Sequence, residues 1–160
     1  MTHDAMTPSK VWDLIEGERE CFFVDVDRNC ARIRPMGPLI RRDEGRIWFV
    51  TDRESHKVDD LRDGSPVSLV FGGSGADFRA VLTGAAILVD DRATVRELWS
   101  DVMKQWFDGP EDPRIVLICF DAREAETWTG PGRVMAAIKL AYTAFTGRRT
   151  EMGSQQTTQM

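Results

Sequence analysis

Apolar positions change their spacing several times along the chain, and each change predicts an element. After Thr7-Pro8, the residues Val11, Trp12, Leu14 and Ile15 recur at helical spacing. Thr suits an N-cap, Pro suits the first helical position, and Gly17 stops the pattern, which predicts a short amphipathic helix. Cys21 to Val26 is then apolar and rich in strand formers. Asp27-Arg28-Asn29 predicts a turn, and Cys30 to Met36 a returning strand. A second turn at Asp43-Glu44-Gly45 precedes a third strand, Arg46 to Thr51. Ser55 to Arg62 predicts a short helix capped by Asp52 or Ser55, and Pro66 to Phe71 a fourth strand. The loop Gly72-Gly73-Ser74-Gly75 leads into a long strand, Arg79 to Val89. Gly84 in its middle marks a bulge or a close backbone approach.

The second half begins with Val95, Leu98, Trp99, Val102, Met103 and Trp106 spaced by three and four, which predicts one helix over Arg92 to Trp106. Pro110 to Pro113 reads as a loop. Ile115 to Phe120 is continuously apolar, as in a buried strand, and Thr127-Trp128 closes a short strand after it. Val134 to Phe145 predicts a last amphipathic helix. Residues 147–160 are polar and predict an extended or mobile tail. The pattern therefore divides the chain into a flexible start (1–8), a domain (9–146) and a polar tail (147–160). Six or seven strands in a meander, with helices at the ends and crossovers, predict a mainly β fold. The expectation is an antiparallel β-barrel with peripheral helices rather than a parallel α/β sheet.

Composition narrows the possible roles. At 160 residues, 42% hydrophobic and 29% charged, the chain can bury one core unaided. A net charge of -5 argues against nucleic acid as the main partner, while leaving room for a local basic pocket that holds one phosphate. Cys21, Cys30 and Cys119 are odd in number and lack CxxC spacing, so they read as small buried hydrophobes in a reducing cytoplasm. Residues 1–10 are polar, and no apolar run reaches the roughly 20 residues that span a bilayer. A cytoplasmic protein without a membrane partner is expected. Neither GxGxxG after a strand nor GxxxxGK[ST] occurs. His3 and His56 are the only histidines, which leaves little for a metal site or a Ser-His-Asp triad, and no metal is expected. The run Gly72 to Gly75 lacks the last glycine of a nucleophile elbow and joins two strands, so it reads as a plain loop.

Three stretches carry candidate chemistry: Arg34-Pro35-Met36, Trp48-Phe49-Val50-Thr51 and Ser55-His56-Lys57. In a meander, adjacent strand ends lie side by side. A helix start beside them supplies free N–H groups, so that Ser55, Lys57 and a neighbouring Arg would make a phosphate pocket. Each stretch alone is commonplace, since Ser-x-Lys is most often only a helix start.

In order and spacing, the three stretches together resemble the flavin mononucleotide (FMN) site of the pyridoxamine 5′-phosphate oxidase-like proteins. Val11-Trp12-Asp13-Leu14-Ile15, Asp90-Asp91-Arg92-Ala93, Glu97-Leu98-Trp99, Trp106-Phe107 with Gly109, Asp112-Pro113, Trp128 and Phe145-Thr146-Gly147 resemble the general stress protein branch. The resemblance implies an FMN-binding split barrel, antiparallel and six- to seven-stranded. It implies that Lys57 and Ser55 hold the flavin phosphate with help from Arg34, and that His56 stands where many relatives carry Arg. Pro35 and Met36 would meet the isoalloxazine. Phe49, Val50 and Thr51 would line the ring and ribityl chain, partly through backbone groups. Trp106, Phe107 and Trp128 would pack near the ring across the interface of a homodimer. The implied activity is that of an FMN-dependent oxidoreductase on a small molecule. The alternatives are a non-enzymatic flavin-binding stress protein, or the same fold holding haem or a deazaflavin.

Overall fold

A computed structural model describes residues 6–27, 30–61, 64–72, 78–130 and 154–160, without the side chains of Asp27, Lys57, Asp60 and Ser154. Helix α1 spans Pro8–Ile15, capped by Thr7, whose side chain accepts a hydrogen bond from the Lys10 N–H. It buries Val11, Trp12 and Ile15, the face predicted from their spacing. Strands β1 (Cys21–Asp27), β2 (Cys30–Met36), β3 (Leu39–Arg41) and β4 (Arg46–Asp52) follow. Next come helix α2 (His56–Asp60), strands β5 (Ser65–Phe71) and β6 (Phe78–Val89), and helix α3 (Arg92–Leu98). A 3-10 turn over Asp101–Gln105 leads to β7 (Ile115–Thr129), and β8 (Ser154–Gln159) ends the chain.

All eight strands belong to one sheet in the order β2-β1-β5-β6-β7-β4-β3, with β8 also on β7. Every pairing is antiparallel. Strand β7 organises the sheet. One of its edges carries β6 and the other is shared by β4, on Ile115–Asp121, and β8, on Glu124–Thr129. Its first half is buried on both faces. Ile118 and Phe120 enter the main core with Phe23, Phe49, Leu69 and Phe71, while Ile115, Leu117 and Cys119 pack with Trp48, Val95, Leu98 and Phe107 in a second core. That double burial explains the unbroken apolar run.

Several expectations need correction. There are eight strands among the described residues rather than six or seven, because β3 is too short, at three residues, to show a period and β8 is polar. The polar end of the chain is thus a paired strand over Ser154–Gln159, tied also to the N-terminal segment, where Thr158 Oγ1 donates to the Met6 carbonyl at 3.0 Å. Ile115–Phe120 and Thr127-Trp128 are one 15-residue strand. The charged stretch between them only marks the point where one face of β7 reaches solvent. The helix expected over Arg92–Trp106 breaks at Trp99, which is extended (φ -62, ψ 135). The second core covers only the turns bearing Val95 and Leu98, and the chain then re-aims as the 3-10 turn. Helix α2 is shorter than expected and begins after Ser55. Cys30 is exposed, unlike Cys21 and Cys119. The predicted turn residues Arg28 and Asn29, the loop residues Gly73 to Gly75 and the helix Val134 to Phe145 lie outside the described residues.

The signal read from Gly84 has a physical basis. The β6–β7 register shifts between Thr83 and Gly84. A Cβ on Gly84 would lie 2.0 Å from the Asp121 carbonyl oxygen and 3.1 Å from Phe120 Cζ. Gly84→Ala is expected to lower stability by about 2–3 kcal/mol, as overpacking against backbone does. Gly45→Ala, at a left-handed residue with open space around it (φ 66), should cost only about 1 kcal/mol. Urea midpoints of the two variants test this, and equal small losses would contradict the close approach.

Candidate functional site

The link Gly37-Pro38 carries the chain from β2, at one edge of the sheet, to β3, at the other. Where the two edges meet, a cleft of about 790 Å³ opens. One wall is the segment from Pro35 to Leu39, and another is Val50, Thr51 and Asp52 at the end of β4. The 3-10 segment supplies Ser100, Val102, Met103, Trp106 and Phe107, and Glu18 and Arg19 close the rim. The structure brings Pro35, Met36, Val50, Thr51, Trp106 and Phe107 onto one cleft of a single chain, whereas the resemblance implies that Trp106 and Phe107 reach the ring across a dimer interface. The structure adds Arg19, Gly37, Pro38, Leu39, Val102 and Met103, of which only Gly37-Pro38 has a local signal, that of a chain reversal.

Other predicted residues are placed differently. The Phe49 side chain is fully buried and meets Phe23 edge-on at 5.4 Å, so it faces the core and not the cleft. Arg34 does not line the cleft; its Nη1 donates to the carboxylate of Asp25, which is buried. The other oxygen of that carboxylate, Oδ2, has no hydrogen-bond partner among the described residues. Ser55 stands just past the end of β4, with its hydroxyl 3.4 Å from that of Thr51. The Asp52 carboxylate accepts from the Glu54 N–H at 2.8 Å and the Asp52 carbonyl from the Ser55 N–H at 3.0 Å, a tight turn that delivers the chain into α2. His56 is exposed, and the Lys57 side chain is outside the described residues. Trp128 is half-buried at the far end of β7, opposite Arg79 and Gln155, away from the cleft.

The aromatic wall is held by a second set of polar contacts. Asp112, 6% exposed, accepts from the Asp108 N–H at 3.0 Å, the Arg114 N–H at 2.9 Å and the Arg114 guanidinium at 2.7 Å. The same guanidinium lies 5.7 Å from the centre of the Phe107 ring. Both the Trp106 and Phe107 N–H groups donate to the Met103 carbonyl at 3.0 Å. Hydrogen bonds from Arg114 and from the Asp108 and Arg114 N–H groups hold the Asp112 carboxyl well below the usual carboxylate range. Burial, with Glu20 nearby, pushes the Cys21 thiol up to about 12, and burial also raises Cys119, so neither supplies a thiolate at neutral pH. Among the described residues no group of three His, Cys, Asp or Glu is placed to hold a metal. No helix of the described residues is long and apolar enough to cross a membrane.

An antiparallel sheet rolled until its edges nearly meet, with a cleft along the seam, defines the split-barrel class. The chain belongs to the pyridoxamine 5′-phosphate oxidase-like family, whose model matches residues 6–151. It is 28% identical to general stress protein 26 of Bacillus subtilis over 135 residues, 82% of this chain and 94% of that one. It is 35% identical to protein bli-3 of Neurospora crassa over 81 residues, which are 45% of this chain and only 39% of that protein's length. Among solved structures, one from Jannaschia sp. CCS1, assigned to general stress protein 26, aligns with TM-score 0.77 and 27% identity over 94% of this chain and 96% of that one. The general stress FMN/FAD binding protein of Xanthomonas citri aligns with TM-score 0.68 and 28% identity, covering 76% and 87%.

The Asp112 clamp has a pH signature. A carboxyl whose folded pKa lies below its unfolded value binds fewer protons folded than unfolded, so its stabilisation is present above about pH 4 and fades as pH falls toward the folded pKa. Asp112→Asn should therefore melt below the wild type at pH 7, and the gap should narrow steadily between about pH 4 and pH 2. A gap independent of pH would show that the charge of Asp112 is not what holds the segment.

Proposed function

We propose that this protein binds FMN in the cleft and acts, as a homodimer, in flavin-dependent oxidation or reduction of a small molecule. The observation that carries this reading is the convergence of Met36, Val50, Thr51, Trp106 and Phe107 on one cleft. The family resemblance assigns Met36, Val50 and Thr51 to the ring and ribityl chain, and Trp106 and Phe107 to the neighbourhood of the ring. The cleft fits a flavin. Its volume lies within the range of about 300–1,000 Å³ usual for cofactor sites. Met36, Met103 and Phe107 offer apolar faces, and the strand ends offer backbone hydrogen-bonding groups beside Thr51. Bound there, a flavin supplies the electron-transfer chemistry, while the protein binds, orients and shields it. The FMN/FAD binding protein of X. citri supports the flavin class, and the Ser55-His56-Lys57 turn supports a monophosphate end.

An apolar outer face supports the dimer. Phe22 is 48% exposed, and Val26 and Ile33 are each 64% exposed, on one side of the β1–β2 pair. At the cleft, Trp106 is 61% exposed. Patches of this kind mark interfaces. In a two-fold dimer, Trp128 of one subunit closes the flavin of the other. The free cysteines support a reducing compartment, the cytoplasm.

Titration with FMN and riboflavin, read by flavin absorbance and fluorescence, tests the reading. Wild-type protein is expected to bind both. Lys57→Ala should weaken FMN by about 1.5–3 kcal/mol, or tenfold to 150-fold, and leave riboflavin unchanged. Equal loss of both would remove Lys57 from the phosphate, and no binding of either would remove the flavin. Reduction of the bound flavin by NAD(P)H, with turnover of an acceptor, separates an oxidoreductase from a flavin carrier. Sedimentation at low micromolar protein should show a dimer that FMN strengthens; a monomer fully loaded with FMN would contradict it.

A further inference from the structure

Arg19 is the one cation among the described residues that line the cleft. It sits in the turn between α1 and β1, where its carbonyl oxygen would lie 3.6 Å from a Cβ on Gly37, so its backbone is packed against the cleft wall. Its guanidinium has no hydrogen-bond or ion-pair partner among the described residues. Glu18, next in the chain and also at the rim, makes no ion pair with it. The arginines of the surrounding frame are engaged: Arg42 with Asp13, Arg53 with Asp90, Arg96 with Glu111 and Arg114 with Asp112. Arg34 is held by Asp25 outside the cleft. Of the two carboxylates that line the cleft, that of Asp52 is occupied by the Glu54 N–H. Among the described residues, an oxyanion entering the cleft therefore meets one fixed-base, unpaired guanidinium, a group whose planar fork suits phosphate and carboxylate.

Granted the flavin in the cleft, on which this assignment rests, we propose that Arg19 is the specificity-determining residue that binds an oxyanion of the ligand. Two sources share this chemistry: the flavin's own phosphate, and the carboxylate or phosphate of a second, anionic small molecule bound against the ring. Arg19 is exposed, so replacing it leaves the core intact.

Wild type, Arg19→Gln and Arg19→Lys are titrated with riboflavin and FMN, then, saturated with riboflavin, with acetate and inorganic phosphate while the flavin spectrum is followed. If the flavin phosphate is the oxyanion, Arg19→Gln weakens FMN about tenfold, leaves riboflavin unchanged, and Arg19→Lys recovers part of the loss. If the oxyanion belongs to a second ligand, all three proteins bind both flavins alike. The anions then shift the flavin spectrum of the wild type and fail to shift that of Arg19→Gln. Identical behaviour of wild type and Arg19→Gln in every titration would overturn the role of Arg19 while leaving the flavin reading in place. Failure of the wild type to bind riboflavin would overturn the flavin reading, and this one with it.

Discussion

The constraint on which this structure depends is the reach of the Gly37-Pro38 link. It joins β2 at one edge of the sheet to β3 at the other. Three backbone steps, from Met36 to Leu39, span at most about 11 Å. Laid flat, the order β2-β1-β5-β6-β7-β4-β3 would separate its edges by six strand spacings, about 29 Å. The sheet must therefore roll. Rolling places Phe23, Phe49, Leu69, Phe71 and Phe120 inside one core. It also sets the ends of β2 and β4 against each other without a hydrogen-bonded ladder between β2 and β3, and the cleft is what remains along that seam.

Strand β7 joins the seam to the rest of the molecule. Its start pairs with the end of β4, placing Thr51 opposite Val116, while its outer face supports the second core beneath α3. Just upstream, the Asp112–Arg114 clamp fixes the turn that carries Trp106 and Phe107. The aromatic wall and the strand-end wall are thus anchored to the same few residues, about Asp112 to Val116. Further along, the register skips Arg123 of β7 between Thr83 and Gly84, and Gly84 keeps a side chain from colliding with the Asp121 carbonyl. A long bent strand with a glycine opposite the bend is the usual way to curl a sheet.

Much of this was legible in the residues. Apolar runs and helical spacing located α1, β1, β4, β5 and β6, because each buries side chains and burial leaves a trace, while β2, of which only Met36 is buried, was located by the turn before it. Elements whose pairing is made by backbone leave none. Strand β8, with its glutamines and threonines, is held by hydrogen bonds to β7, whereas β3 is hidden by its length, since Leu39 and Ile40 pack against the cores but three residues show no period. The break at Trp99 was hidden for the opposite reason. Val102 and Trp106 continue the helical apolar spacing, yet they are exposed beside the cleft, so an apolar pattern made by a site imitates one made by a core. At the site itself, residues in recognisable short motifs came forward. Arg19 stands in a polar turn, where an arginine is unremarkable until the fold places it on a cleft.

The pairing of Arg34 bears on how a phosphate is held. Asp25 is 3% exposed, and one of its oxygens depends on Arg34. Taking the guanidinium away would leave a buried carboxylate uncompensated, at a cost of about 3–5 kcal/mol. A charge-assisted contact to phosphate returns only about 1.5–3 kcal/mol. The balance rules out a swing of Arg34 from Asp25 to a ligand. What survives is sharing, in which a phosphate approaches the guanidinium where it stands and the pair with Asp25 stays intact. Sharing has its own cost, since the Asp25 charge then stands close behind the arginine and offsets part of its attraction. Arg34 is therefore committed first to Asp25 and to the barrel that positions the cleft. Charge in the cleft and charge in the frame therefore have to be counted separately.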